Sequence, residues 1–154
     1  LKDLYDAFEF ALISEGVLSS DKVYDDYNVL KVRLRSLVNS DYAKYFDVVK
    51  KGMHRVMTNG TGRYYLIDGI EVAGKTGTAE NPHGKDHAVF IGYAPLENPQ
   101  IAVAVVVENA GFGATWAAPI ASLMIEQYLT GEIKRKDLKN RIANAVINES
   151  VKIW

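Results

Sequence analysis

The spacing of apolar positions changes character along the chain. Leu4, Ala7, Phe8, Ala11 and Leu12 recur every three or four residues, which predicts a helix over the first fifteen residues, closed by Gly16. Between Ser19 and Asp41 the pattern is mixed. Val29, Val32, Leu34 and Val38 fit short strands or one more helix. From Tyr42 to Thr58 the helical period returns in Phe46, Val49, Met53, Val56 and Met57. Asp41 is the expected N-cap of this amphipathic helix. Asn59-Gly60 is its expected end, with the glycine in a left-handed conformation.

The centre of the chain reads as strands. Ile67 to Glu80 is a strand region with small residues in its middle, and "NPHGKD" (Asn81 to Asp86) is a turn built on Pro and Gly. His87 to Pro95 forms a second strand, "LENP" a second turn, and Gln100 to Asn109 a third strand. Such short links allow only an antiparallel meander. The third strand is apolar on both faces, so both faces of the sheet are expected to be covered.

A glycine-rich loop and another helix follow. Thr115 is the expected N-cap, Pro119 falls in the first turn, and Gly131 closes the helix. Ile120, Leu123, Met124 and Tyr128 are expected to face the sheet. The charged tail from Ile133 to Ser150 reads as helical, with Leu138, Ile142, Ala145 and Val146 on one side. The expected fold class is α+β: an antiparallel sheet of at least three strands with helices packed on it. Three segments are expected: 1–40, poorly patterned; 41–131, the organised part; and 132–154, a charged helical tail.

Composition narrows the chemistry. The 154 residues are 48% hydrophobic and 24% charged, an ordinary globular balance. The formal net charge of −1 offers no global basic field to hold nucleic acid. Without cysteine there is no disulfide scaffold, thiol nucleophile or Cys-based zinc site, and the three histidines are scattered. No run approaches the roughly 20 apolar residues of a membrane span. The chain opens on Leu1-Lys2-Asp3, without an initiator Met, and is expected to have lost a preceding segment, an anchor included.

The informative run is Lys75-Thr76-Gly77-Thr78, inside "VAGKTGTAE". On a strand bordering a cleft, Lys75 offers a cation. Thr76 and Thr78, two apart, project their hydroxyls to one side. Gly77 faces the other way and lets another chain approach closely. An edge strand can pair its free N–H and C=O groups with an extended peptide. Such a surface suits a peptide ending in a carboxylate, and the Thr78 N–H is placed to serve as one oxyanion donor. The tripeptide alone is a weak signal, since Lys, Thr and Gly often meet on exposed strand ends. "GIEVAGKT" (Gly69 to Thr76) also fits the Walker A pattern. A P-loop opens a helix at its lysine, however, and "IEVA" is β-rich while Gly77 and Pro82 forbid a helix beyond it.

The wider order of motifs is far more specific. "GTGR" (Gly60 to Arg63), "VAGKTGTAE", "DHAVFIGYAP" (Asp86 to Pro95), "NPQIAVAVVVEN" (Asn98 to Asn109) and "AAPIA" (Ala117 to Ala121) follow one another closely. The run from Tyr42 to Leu129 resembles the C-terminal half of a class B penicillin-binding protein transpeptidase domain, the elongation-type penicillin-binding protein 2 in particular. The resemblance implies a D,D-transpeptidase that cross-links peptidoglycan stem peptides by serine acyl transfer, and whose serine β-lactams acylate. It implies substrate binding by Lys75, Thr76, Gly77 and Thr78, with Lys75 and Thr78 as the catalytic members of this strand. Stem peptides, β-lactams and a membrane glycosyltransferase of the elongation machinery are the implied partners, with no nucleic acid. No cofactor or metal is implied, since serine acyl transfer needs neither. The full-length protein is expected in the bacterial cell membrane, with its catalytic domain outside the cytoplasm.

Two further boxes of that family, S-x-x-K and S-x-N, are the point of departure. Ser19-Ser20-Asp21-Lys22 fits the first formally but lies much too close to Lys75 for the family, and no S-x-N occurs between them. With seven serines and many lysines, one chance match is expected. The chain therefore reads as a soluble fragment without its nucleophile, inactive alone. The alternatives are a serine β-lactamase or β-lactam sensor domain, which share the KTG strand, and a non-catalytic peptide-binding module. Other residues carry bland readings. His87 caps a strand, the alternative being a place at the cleft mouth; His54 lies at a helix edge, His83 sits in a turn and Trp116 anchors packing. Glu108-Asn109 orders the glycine loop, Arg63 is a surface cation, and Lys134 to Arg141 form a solvated basic face.

Overall fold

A computed structural model of the chain describes residues 43–147, together with Val32 and Ser36. The helix expected at residues 1–15, the Asp41 cap and the Ser19/Lys22 pair lie outside the described residues. In chain order the elements are α1 (Ala43–Thr58), a short 3₁₀ turn (Arg63–Tyr65), β1 (Ala73–Ala79), β2 (His87–Ala94), β3 (Ile101–Val107), α2 (Ala117–Thr130) and α3 (Lys136–Ala143). The strands form an antiparallel sheet in the order β1-β2-β3. The α+β meander expected from the sequence is thus present. Its first strand is shorter than the apolar run suggested. Ile67 and Ile70 instead close a small bridge around Asp68-Gly69, and the ladder begins only at Ala73.

Strand alternation divides the sheet into two unlike faces. Opposed pairs such as Phe90 and Val105, or Ala88 and Val107, share one face, because residues directly across an antiparallel ladder point the same way. That face carries the core. Ala88, Phe90, Ala94 and Val103 pack with Met57 at the end of α1 and with Trp116, Ala117, Ala121 and Ile125 of the α2 region. Helix α1 lies against β1, and α2 crosses β2 and β3. Phe90 is fully buried at the centre, and burying such a ring contributes roughly 1.5–3 kcal/mol. It lies where Gly74 and Gly92 leave room: a Cβ at Gly74 would meet the ring tip at 2.3 Å. The opposite face holds Lys75, Gly77, Val89, Ile91, Ala104 and Val106. Here the expectation of two covered faces holds only at the end carrying Ala73 and Tyr93, both buried, and fails over the rest of the face among the described residues. Ala104 is exposed and Val106 is 62% exposed, because both helices pack on the other side.

Helix α2 is rotated from the expected orientation. Met124 is 51% and Tyr128 64% exposed, while Ala117, Ala118, Ala121, Ser122, Leu123, Ile125 and Glu126 are buried. Leu123 faces inward as expected, but small side chains let the helix approach the sheet closely, so the alanine stripe and Ile125 join it while Met124 and Tyr128 are turned out. Thr115 does not cap it. Trp116 flanks the helix without a side-chain cap, and the Thr115 N–H donates to the Phe112 carbonyl. Gly131 does end the helix in the left-handed region, at φ 78°. Gly60 is not left-handed. A Cβ there would lie 2.9 Å from the Val56 Cα, so close approach to α1 is what it provides.

The tail helix is shorter than expected. Leu138 and Ala145 pack against the core, and Val146 is exposed. The basic run is also not wholly solvated. The Arg135 side chain is only 22% exposed and meets Glu126, itself 4% exposed, through Nε to Oε2 at 3.0 Å. Its other nitrogens donate to the carbonyls of Tyr65, Leu66 and Ser122. The Lys134 N–H donates to the second Glu126 oxygen. This clamp ties α3 and the 3₁₀ turn to the buried side of α2.

Candidate functional site

Strand β1 is an outer strand of the described sheet, so one of its edges has no strand partner among the described residues. The run Lys75 to Thr78 lies wholly within it. The lysine sits in a strand rather than at the start of a helix, which removes the P-loop reading. Along β1, Ala73 and Gly74 are buried, Lys75 is exposed, Thr76 and Gly77 are half-buried, and Thr78 and Ala79 are exposed. All four candidate residues therefore reach the surface together.

Their directions differ. Register pairs Lys75 with Ile91 and Gly77 with Val89 on the face away from the helices, and Thr76 with Phe90 and Thr78 with Ala88 on the helix side. The ammonium and the two hydroxyls therefore straddle the free edge of β1. Lys75 Nζ donates to the Thr76 carbonyl. The Thr76 hydroxyl lies 2.7 Å from that of Thr61, in the "GTGR" turn after α1. That turn, singled out by sequence as part of a motif, is thus brought against the KTG strand.

The glycines around the site play different parts. Gly74 and Gly92 are demanded by the Phe90 ring, whereas a Cβ at Gly77 would meet only Val89, at the ordinary contact distance of 3.4 Å. The chain's own packing leaves a bare strip of backbone there. On the other side of the sheet Gly113 comes very close. A Cβ on it would lie 2.1 Å from the Val89 carbonyl oxygen and 2.4 Å from that of Gly77.

The β1–β2 turn is braced by a polar cluster that spacing alone does not reveal. Asn81 Nδ2 donates to Asn109 Oδ1 at 2.7 Å and to the Lys85 carbonyl at 3.2 Å. Its Oδ1 accepts from the His83 N–H, and its N–H donates to Asp86. The Asn109 N–H donates to His87 Nδ1 at 3.0 Å. His87 is therefore a structural acceptor at the strand start, and Asn109 ties the end of β3 to the β1–β2 turn and to the start of β2. His54 is likewise structural, with Nδ1 3.3 Å from the Val72 carbonyl and Nε2 3.7 Å from Glu71. Arg63 stacks on Tyr64, 4.3 Å from the ring centroid, and donates to the Gly60 carbonyl. Trp116 is buried in the core. Burial, and then the Glu97 carboxylate, raise the Tyr93 phenol above its ordinary value of 10.0. Burial likewise raises Tyr65, against the opposing charge of Arg141. No group of three His, Asp or Glu that could hold a metal occurs among the described residues.

Known proteins are similar to this chain in sequence and fold. The family model "Penicillin binding protein transpeptidase domain" matches residues 12–126, beginning well before the resemblance at Tyr42. The peptidoglycan D,D-transpeptidase MrdA of Haemophilus influenzae is 36% identical over 121 residues, covering 67% of this chain and 19% of the relative. Among solved structures, Pseudomonas aeruginosa PBP2 in complex with WCK 5153 superposes with a TM-score of 0.51. It is 40% identical over 58% of this chain and 21% of that one. Penicillin-binding protein A from M. tuberculosis, a ceftriaxone acyl-enzyme complex, gives 0.50 at 35% identity, over 53% and 20%. The chain thus spans about a fifth of the length of the proteins it matches. With a three-stranded sheet, a KTG strand at its edge and a family match over most of its length, the chain belongs to the penicillin-binding protein transpeptidase family, alongside class B members of the PBP2 type.

Proposed function

We propose that this chain supplies the substrate-binding strand of an elongation-type peptidoglycan D,D-transpeptidase, which cross-links stem peptides by serine acyl transfer and is acylated by β-lactams. The observation that carries the reading is the edge of β1 that has no strand partner among the described residues: bare backbone at Gly77, with exposed Lys75 and Thr78 on its two sides. A stem peptide laid along that edge pairs with the backbone of β1. Its terminal carboxylate then takes charge-assisted hydrogen bonds from Lys75 and hydrogen bonds from the hydroxyls of Thr76 and Thr78.

The chemistry follows from that placement. A serine oxygen adds to the penultimate D-Ala carbonyl, and the resulting oxyanion accepts from the Thr78 N–H and from the serine's own N–H. The C–N bond breaks, terminal D-Ala leaves with a proton, and an acyl-serine remains. An amine of a neighbouring stem peptide attacks the ester, forms the cross-link and releases the serine. A β-lactam offers a carboxylate and a reactive amide in the same relation. The ceftriaxone acyl-enzyme of the mycobacterial neighbour supports this part of the reading.

In this reading the acylated serine lies outside these 154 residues, and Ser19-x-x-Lys22 is coincidental. The whole enzyme is held at the bacterial cell membrane with this domain outside the cytoplasm, beside a glycosyltransferase that makes the glycan strands. Intact-mass spectrometry after incubation with a labelled penicillin tests the assignment. The expected result is no adduct on this chain and one per molecule on the longer transpeptidase that carries it. A stoichiometric adduct on Ser19 overturns it.

A further inference from the structure

We infer that the loop from Asn109 to Gly113 is a buttress that sets the backbone of Gly77 and Thr78, with Asn109 and Gly113 as positioning residues for the acyl-transfer step. The inference rests on the reading of β1 as the substrate strand.

The loop is fastened at both ends. At its start, Asn109 sits in the left-handed region at φ 54°, gives its N–H to His87 Nδ1 and accepts the Asn81 amide on Oδ1. Two residues on, the Gly111 N–H donates to the Asp86 carbonyl at 2.7 Å. A Cβ at Gly84 would lie 2.8 Å from Asn109 Oδ1, so the turn closes tightly over that amide. At its far end, the Gly113 carbonyl accepts from the Ala118 N–H in the first turn of α2. There Gly113 lies against the Gly77–Val89 pair, so close that an added Cβ would be 3.0 Å from Gly77 N as well as hard against both carbonyl oxygens. It presses on the helix side, since the atoms nearest a Cβ on the open side of Gly77 all belong to Val89, the closest at 3.4 Å.

The consequence is mechanical. Gly77 has no side chain to lock it, and among the described residues β1 has a strand neighbour on one edge only. Without a support from behind, the peptide plane carrying the Thr78 N–H is free to tilt. An oxyanion donor gains its advantage by being fixed before charge develops. The buttress provides that fixing through main-chain contact, and the Asn109–Asn81 amide pair holds the buttress in register with the turn that follows Thr78. A side chain at position 113 would push the loop off the sheet.

The test separates binding from chemistry in the transpeptidase carrying this segment. Asn109→Gly keeps the left-handed backbone and removes the amide brace; Asn109→Asp keeps an acceptor oxygen. The expected result for Asn109→Gly is a fall of about tenfold in the acylation rate at saturating penicillin. Its dissociation constant and the fraction of molecules acylated stay near wild type. Asn109→Asp restores the rate to within about threefold. A merely structural role would lower the acylated fraction and the melting temperature but leave the rate of the folded fraction unchanged, and that outcome overturns the buttress. If the same protein acylates but ignores Lys75→Ala, the substrate-strand reading fails instead. If Lys75→Ala impairs acylation while Asn109→Gly does not, only the buttress fails. Gly113→Ala is a harsher companion, expected to slow acylation further where it folds.

Discussion

The hydroxyls of Thr61 and Thr76 lie 2.7 Å apart, joining the turn after α1 to the middle of the KTG strand. One hydroxyl donates and the other accepts, so Thr76 is held toward the helix side while Lys75 projects from the opposite face. The Thr61 hydroxyl thereby orients that of Thr76 at little cost in side-chain entropy. Thr61→Val removes the hydroxyl and keeps the shape. The expected loss is about 1 kcal/mol of transition-state stabilisation. It is read as a roughly fivefold fall in the second-order acylation constant of the intact transpeptidase. Thermal stability should change little.

Buried Glu126 and partly buried Arg135 form the charge pair that fixes α3 and the 3₁₀ turn onto α2. Arg135→Ala leaves Glu126 without its counter-charge inside packed protein. The expected cost is about 3–5 kcal/mol, seen as a lowered denaturant midpoint. Glu126→Leu combined with Arg135→Met removes both charges and should recover most of that loss, because desolvating the pair is itself costly.

Gly74 is expected to be far less tolerant than Gly77. Gly74→Ala drives a methyl to within 2.3 Å of the Phe90 ring and should cost about 1–3 kcal/mol through overpacking. Phe90→Leu in the same chain should relieve part of it. Gly77→Ala should leave the denaturant midpoint near wild type while slowing acylation, since in the proposed reading the space it fills is where the substrate lies. Equal losses of stability at the two positions would contradict the assignment of the Gly77 strip.

The Tyr93 hydroxyl is buried with no hydrogen-bond partner, and its phenol is raised above 10.0. The protonated ring is the form the fold favours. Its contribution is therefore fully present below the unfolded value near 10 and is lost as pH rises through the higher folded value. Tyr93→Phe should leave stability at pH 7 unchanged or slightly improved, because an unpaired hydroxyl is replaced by an apolar atom. It should also reduce the loss of stability above pH 10, with the part due to Tyr65 remaining. A pH titration of unfolding free energy measures both.

Much of this structure is legible in the sequence where a single period governs. The three- and four-residue rhythm of Phe46, Met53, Val56 and Met57 marks α1, and the apolar runs between Pro- and Gly-containing turns mark the meander. The site strand is legible because its chemistry lies in four consecutive residues. What escapes is what depends on partners distant in sequence. Glu126 is a charge inside an apolar helix, and its reason appears only when Arg135 folds back upon it. The rotation of α2 escapes because hydrophobicity favours Met124 and Tyr128, whereas close packing favours Ala117, Ala121 and Ser122. The Asn81–Asn109 amide pair spans 28 residues, and its one local sign is an asparagine ending an apolar strand before a glycine loop.

The most direct test of the account concerns Lys75 and a carboxylate. The second-order acylation constant is measured for the intact transpeptidase and its Lys75→Ala variant, with benzylpenicillin and with its methyl ester. Losing a charge-assisted bond should slow the acid by about 10- to 100-fold. The ester, which has no charge to hold, should slow by less than about threefold. Equal losses for acid and ester, or none for either, would contradict the claim that this strand grips the terminal carboxylate.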